Sequence, residues 1–121
     1  MIRMSKHSKI GVKGEQIAAD FLLNKGYIIL HRNWRTGRKE VDIVAATGET
    51  LVIAEIKTRT TLEFGYPEDA VNNKKKALLR AAAEVYIAEQ PQYRHIRFDV
   101  ISVMMDEGGN AEVIHFEEAF Y

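Results

Sequence analysis

The order of periodicities along this chain of 121 residues predicts an α/β domain, a mixed central sheet with helices packed against it. Three observations carry the expectation. One helical stripe opens the chain and a longer one divides the extended segments into a group of three and a group of two. Two of the extended segments are joined by a turn of only four residues, Thr47-Gly48-Glu49-Thr50, which marks an antiparallel hairpin. The run Leu51-Val52-Ile53-Ala54 is apolar at every position, as in a strand covered on both faces.

The first helix spans Gly11 to Asn24, with Ile17, Ala18, Phe21 and Leu22 on one side and Gly26 as its stop. Tyr27 to Leu30 forms a short strand that runs into a polar and aromatic stretch, Arg32-Asn33-Trp34-Arg35. Val41 to Ala46 and Leu51 to Thr58 are the strands of the hairpin, and residues 60–67 form a loop ending in Gly65-Tyr66-Pro67. The second helix runs from Ala70 to Glu89, burying Val71, Leu78, Ala82, Val85 and Tyr86, and Pro91 ends it. Ile96 to Met105 is a further strand; Asp106-Glu107-Gly108-Gly109-Asn110 turns the chain, and Ala111 to Phe116 pairs back.

The length suits a single domain over residues 11–121, preceded by a basic segment at 1–10. No apolar run is long enough to span a membrane, and nothing apolar follows the basic N-terminus as a secretory signal would require. The chain has no cysteine, which excludes disulfides and thiolate metal sites and suits the cytoplasm. The formal net charge is zero, but all 17 Lys and Arg lie within residues 1–97. That segment holds 11 of the acids, a net of +6, while residues 98–121 hold the other six acids and no Lys or Arg. Such asymmetry can present a basic face to a polyanion, or can be an acidic tail on a solvated surface.

The chemistry concentrates on the hairpin. Glu55 and Lys57 are two apart on one strand, so their side chains leave the same face about 7 Å apart. Pairing residues whose numbers sum to that of the turn residues Thr47 and Thr50 places Asp42 opposite Glu55, although a slip of one residue would reverse the face. Two carboxylates with the Ile56 backbone carbonyl would form an all-oxygen site for Mg²⁺ or Mn²⁺. Such an ion could polarise a phosphodiester and acidify a water, with Lys57 orienting the water or neutralising charge on the phosphate. Glu and Lys are poor choices in an apolar strand unless they pair or bind something. A buried ion pair of Lys57 with Glu55 or Asp42 is the plain alternative.

Several ordered motifs resemble the YraN-like family of uncharacterised bacterial proteins. They are Gly14-Glu15 with Ala18-Ala19, Gly26-Tyr27, Arg32-Asn33-Trp34-Arg35, Glu40-Val41-Asp42-Ile43-Val44, Ala54-Glu55-Ile56-Lys57-Thr58-Arg59, Phe64-Gly65-Tyr66-Pro67 and Arg97-Phe98-Asp99-Val100, over about residues 11–103. The resemblance implies a restriction-endonuclease-like fold of the PD-(D/E)xK superfamily, similar to archaeal Holliday junction resolvases. It implies that Asp42 binds metal, Glu55 is the second acid, Lys57 is the catalytic lysine, and Glu15 on the first helix joins them. For Glu15 the alternative is a carboxylate interacting with the helix dipole. The chain departs from the family in two places: Arg38-Lys39 precede Glu40, with Gly37 displaced, and the superfamily's proline before the Asp is Val41. Glu40 is either a peripheral ligand or, the favoured reading, a surface charge, and Asp99 is either structural or catalytic.

Contacts to nucleic acid are expected from Arg32, Arg35, Arg38 and Lys39, from Arg59, and from Lys74 within Lys74-Lys75-Lys76. Trp34 is either a stacking platform or, the favoured reading, a sheet anchor. His7, His31, His95 and His115 lack metal-ligand spacing and receive no role. The leading expectation is therefore a Mg²⁺- or Mn²⁺-dependent endonuclease acting on structured or branched DNA. The competing ones are a non-catalytic nucleic-acid-binding module with a nuclease fold and an interaction subunit using the acidic C-terminal segment. Resolvases of similar fold are dimers, which makes a homodimer one expectation; the sequence carries no interface pattern of its own.

Overall fold

The computed structural model describes residues 9–60 and 72–121. Most of the basic N-terminal segment, the Gly65-Tyr66-Pro67 loop, Ala70 and Val71 lie outside the described residues. The elements are α1 (Lys9–Asn24), β1 (Ile28–Thr36), β2 (Lys39–Thr47), β3 (Thr50–Thr60), α2 (Asn73–Ala88), β4 (His95–Met105) and β5 (Ala111–Phe120). The five strands form one sheet in the order β1-β2-β3-β4-β5. All neighbours are antiparallel except β3 and β4, which run parallel. A parallel pair needs a long crossover, and α2 lies within it. The expected α/β fold, a mixed sheet flanked by helices as in restriction-endonuclease-like domains, is the observed one.

Each helix covers one face. Ala18, Ala19 and Leu22 of α1 pack over Ile43, Ala45, Val52, Ala54 and Ile56, with Ile101 and Val103 of β4. Leu79, Ala82, Ala83 and Tyr86 of α2 pack over Val44, Leu51, Ile53, Phe98 and Val100 on the other face. Leu51 to Ile56 are consequently buried at every position. The end of α1 closes as a C-terminal glycine cap: Gly26 takes φ 90, its N–H donates to the Leu23 carbonyl, and the Tyr27 N–H reaches back to that of Leu22. At α2 the Asn72 side chain accepts from the Lys75 N–H at 2.8 Å, a helix N-cap.

Three expectations need correction. The short strand at 27–30 is nine residues long, because the polar stretch through Thr36 pairs in register with β2 and turns at Gly37, where φ is 61. The α2 stripe is rotated by about one residue: Leu78 and Val85 are 39% and 43% exposed, while Leu79 and Ala83 are buried. Both stripes have helical spacing, and the small pair Ala82-Ala83 is the face that lets the helix come close to the sheet. On α1, Ile17 and Phe21 only flank the core, and the buried line is Gly11, Gly14, Glu15, Ala18, Ala19 and Leu22.

Gly14 shows why that line begins with glycines. A Cβ there would overlap the Thr58 side chain, lying 2.7 Å from its Cγ2. The missing side chain is what lets the first half of α1 rest on the carboxyl end of β3. Gly14→Ala is therefore expected to destabilise the fold by about 1–3 kcal/mol through overpacking, with partial recovery on adding Thr58→Ala, both read from urea unfolding curves.

Candidate active site on the central strands

The register that brings the acids together holds over the whole observed ladder. The β2–β3 pairing runs from Thr47↔Thr50 to Ile43↔Ala54, and its continuation sets Asp42 opposite Glu55. At Asp42 the ladder is replaced by a side-chain bond. The Ile56 N–H donates to Asp42 Oδ2 at 2.9 Å, and Asp42 is fully buried. The β1–β2 pairing also passes over this position, from Arg32↔Ile43 to Trp34↔Val41. Asn33, between those two, has φ 52, the left-handed region. Val41 and Val44 both face the α2 core, so the alternation of side chains is broken at Asp42. The break is what turns this carboxylate toward β3.

Glu55 is 2% exposed and lies on the same face of β3 as Leu51 and Ile53, toward α2. Two ammonium groups meet its Oε1, Lys57 at 3.9 Å and Lys75 at 3.4 Å. Lys75 comes from the first turn of α2. Burial holds the Lys57 ammonium below its ordinary pKa; Glu55 and Asp42 pull it up, Lys75 and Arg59 push it down, and burial prevails. Lys57 therefore senses both acids, which places the three side chains in one neighbourhood.

The donor set suits a hard cation. Asp42 and Glu55 offer carboxylate oxygens from adjacent strands. The Ile56 N–H points at Asp42, and the carbonyl of a strand residue projects to the same edge as its N–H when the residue bonds across a narrow pair. Oxygen-only sites of one or two carboxylates suit Mg²⁺ or Mn²⁺, with water and substrate completing the shell. Glu15 is 2% exposed on the α1 line beside the Gly14–Thr58 contact. It stands six residues into the helix, beyond the first turn where the dipole acts. Among the described residues, no three His, Cys, Asp or Glu side chains group as metal ligands would.

The basic residues sort by element. Arg32 donates to Gln16 of α1 at 2.8 Å, and Arg35 pairs with Glu40 at 2.7 Å, so Glu40 is a pairing residue more than a free surface charge. Arg38 is exposed at the β1–β2 turn and Lys39 half-buried beside it. Arg59 is half-buried near the end of β3. Lys74 is exposed, and it is its neighbour Lys75 that reaches the acid. The hairpin tip, the end of β3 and the start of α2 share one end of the sheet. Trp34 packs edge-on to Tyr86 with ring centroids 5.4 Å apart, the sheet anchor that the sequence favoured.

The sequence left Asp99 between two roles and gave His115 none. The structure makes both part of one hydrogen-bonded network on the α1 face, where Asp99 pairs with Ala54, the neighbour of Glu55. Asp99 accepts from Arg97 Nε at 2.9 Å, from Arg97 Nη2 at 2.8 Å, from His115 at 2.7 Å and from the Glu118 N–H at 3.2 Å. Arg97 also donates to the Tyr27 hydroxyl at 2.6 Å. Lys25 Nζ lies 2.9 Å from His115 Nδ1. An ammonium only donates, so Nδ1 is the acceptor of that contact and Nε2 faces Asp99. A β5 bulge makes room for this: pairing jumps from Val100↔Phe116 to Phe98↔Phe120 and Glu118 takes φ 51. No local pattern in the sequence could have shown it, since the partners come from three elements.

Comparison with known proteins places the whole chain. The model of an uncharacterised protein family, UPF0102, matches residues 14–103. A UPF0102 protein of Phocaeicola vulgatus is 42% identical over 118 residues, covering 98% of this chain and 97% of its own. One from Bacteroides fragilis is 42% identical over the same shares. One from Dictyoglomus thermophilum is 40% identical over 104 residues, 85% of this chain and 88% of its own. The resemblance to the YraN-like family fits these matches.

The Asp99 network has a pH consequence. Burial by itself pushes the Asp99 carboxyl up, but hydrogen bonds from His115 and Arg97 outweigh it and hold the group below its ordinary 3.8. A carboxyl with a depressed folded pKa stabilises the fold above the unfolded value, and that contribution is lost as pH falls through the folded value. Asp99→Asn should cost about 3 kcal/mol near neutral pH, since it removes the buried carboxylate that Arg97 holds bidentately and leaves that guanidinium only the half-exposed Glu117. In denaturant titrations the gap from the wild type should narrow as pH drops below 3.8.

Proposed function

This chain belongs to the UPF0102 family, and from that premise we propose that it is a metal-dependent endonuclease that hydrolyses phosphodiester bonds in structured or branched DNA. The observation that carries the reading is the meeting of Asp42, Glu55 and Lys57 where the β2–β3 backbone ladder ends. Asp42, Glu55 and the Ile56 carbonyl would hold Mg²⁺ or Mn²⁺. A bound ion of that kind neutralises charge at the phosphate and acidifies a water. Lys57, drawn below its ordinary pKa by burial, can orient the attacking water or donate to the phosphate oxygen on which charge builds. The Ile56 N–H keeps the Asp42 carboxylate in one orientation throughout.

Substrate binding falls to the cations at the same end. Arg35, Arg38 and Lys39 at the hairpin tip, Arg59 and the Lys74-Lys75-Lys76 turn would contact phosphates without reading sequence. Three lysines in the first turn of α2, with no acid among them, stand at the positive end of the helix dipole. That is an unfavourable place for cations unless an anion faces them, and a phosphate backbone would be such an anion. Arg32, engaged with Gln16, would contribute less. A DNA substrate places the work in the cytoplasm.

A second reading, a nuclease fold that holds nucleic acid without cutting, draws on the two ion pairs that already occupy Glu55. Cleavage of branched, flapped and linear DNA with Mg²⁺ or Mn²⁺ separates the two. The endonuclease reading expects metal-dependent cuts that Asp42→Asn and Glu55→Gln each reduce by about 10²-fold or more. It expects Lys57→Met to lose activity to a similar degree while its melting temperature stays level or rises, because a partly buried ammonium is replaced by an apolar side chain. DNA binding with no turnover under either metal would leave the binding module. Arg38→Ala should also lower the slope of log affinity against log salt by about 1, measured by fluorescence anisotropy.

A further inference from the structure

Lys57 and Lys75 converge on one oxygen, Glu55 Oε1, at 3.9 Å and 3.4 Å. They are tethered differently. Lys57 leaves the same face of the same strand two residues away, so its backbone is fixed relative to Glu55. Lys75 arrives from another element, on a flexible four-carbon stem. Its backbone is pinned by the Asn72 cap at 2.8 Å, while its side chain is 32% exposed. Lys75 is therefore the cation that can leave.

A carboxylate as buried as Glu55 needs a counter-charge close by. A divalent ion on Oε1 would supply it at shorter range than an ammonium, and would repel an ammonium held against the same oxygen. We infer that Lys75 is the resident counter-ion of Glu55 and that a divalent cation must displace it, so that Lys75 sets the metal affinity of the site. This rests on the reading of Asp42 and Glu55 as metal ligands. Lys75 acts here as a positioning residue: it holds the Glu55 carboxylate in place in the metal-free site and gives up that contact when the metal arrives. Its release has a natural destination, since the exposed side of the first α2 turn is where a phosphate would lie. By linkage, a phosphate that takes up Lys75 would favour metal binding, and metal binding would favour the phosphate.

The test is direct titration of the full chain with Mn²⁺, followed by electron paramagnetic resonance at fixed pH and without DNA. Lys75→Gln is expected to bind Mn²⁺ about 10-fold more tightly than the wild type, the size of effect that neighbours of metal ligands produce. Lys75→Met, a second neutral replacement, should do the same, Lys75→Arg should retain weak binding, and Lys74→Gln should match the wild type. Wild-type binding that Lys75→Gln and Lys75→Met leave unchanged or weaken would overturn the inference and leave the metal site standing. Absence of Mn²⁺ binding in the wild type and in all variants would overturn both.

Discussion

The hydrogen bond from the Ile56 N–H to the Asp42 carboxylate joins the sheet to the site. Along β2 and β3 the backbone satisfies itself as far as Ile43 and Ala54. Beyond that pair Ile56 still has a buried donor to place, and a buried donor left unmet costs about 1–3 kcal/mol. Asp42 meets it, and the same bond orients a fully buried carboxylate beside Glu55. Much of the local irregularity serves this arrangement: the left-handed Asn33, the pairing passed over on the β1 side, and the two valines that face one core across the break.

Two polar clusters occupy the sheet, and they differ in what meets the carboxylate. Around Asp99, one carboxylate takes hydrogen bonds from an arginine, a histidine and a backbone N–H, and the arginine is itself spread over Tyr27 and Glu117. Such a network ties α1, β4 and β5 together and leaves little room for a ligand. Around Glu55 the balance runs the other way. Two lysines meet one carboxylate oxygen, and Lys57 is held there against the preference of its own ammonium for water. A folded protein with only stability to satisfy would be better served by apolar residues at such a place. The conflict between local stability and charge is the pattern expected where a group does chemistry.

Much of the fold was legible in the amino-acid pattern because it depends on short-range periodicity. The element order, the two covered faces of β3 and the hairpin register all follow from spacing, and the register in turn brings Asp42 toward Glu55. Where two spacings were equally good the pattern could not choose. Leu78 with Val85 and Leu79 with Ala83 both form helical stripes, and the choice was made by how closely Ala82 and Ala83 let α2 approach the sheet. The same ambiguity hid Lys75 behind Lys74: they are adjacent in sequence, but about 100° apart around a helix, and only one of those directions points at Glu55.

By itself, then, the sequence determined the fold class, the family, and the acid pair with its lysine, since each is carried by residues close together along the chain or by a register that a four-residue turn sets. Only the tertiary structure decided which lysine of α2 meets Glu55, that Glu15 is buried, and that Asp99 and His115 belong to one network. Those facts depend on distances between elements far apart in the chain. Such distances are set by packing: a glycine that admits Thr58, a pair of alanines against the sheet, a bulge in β5. No local periodicity encodes them.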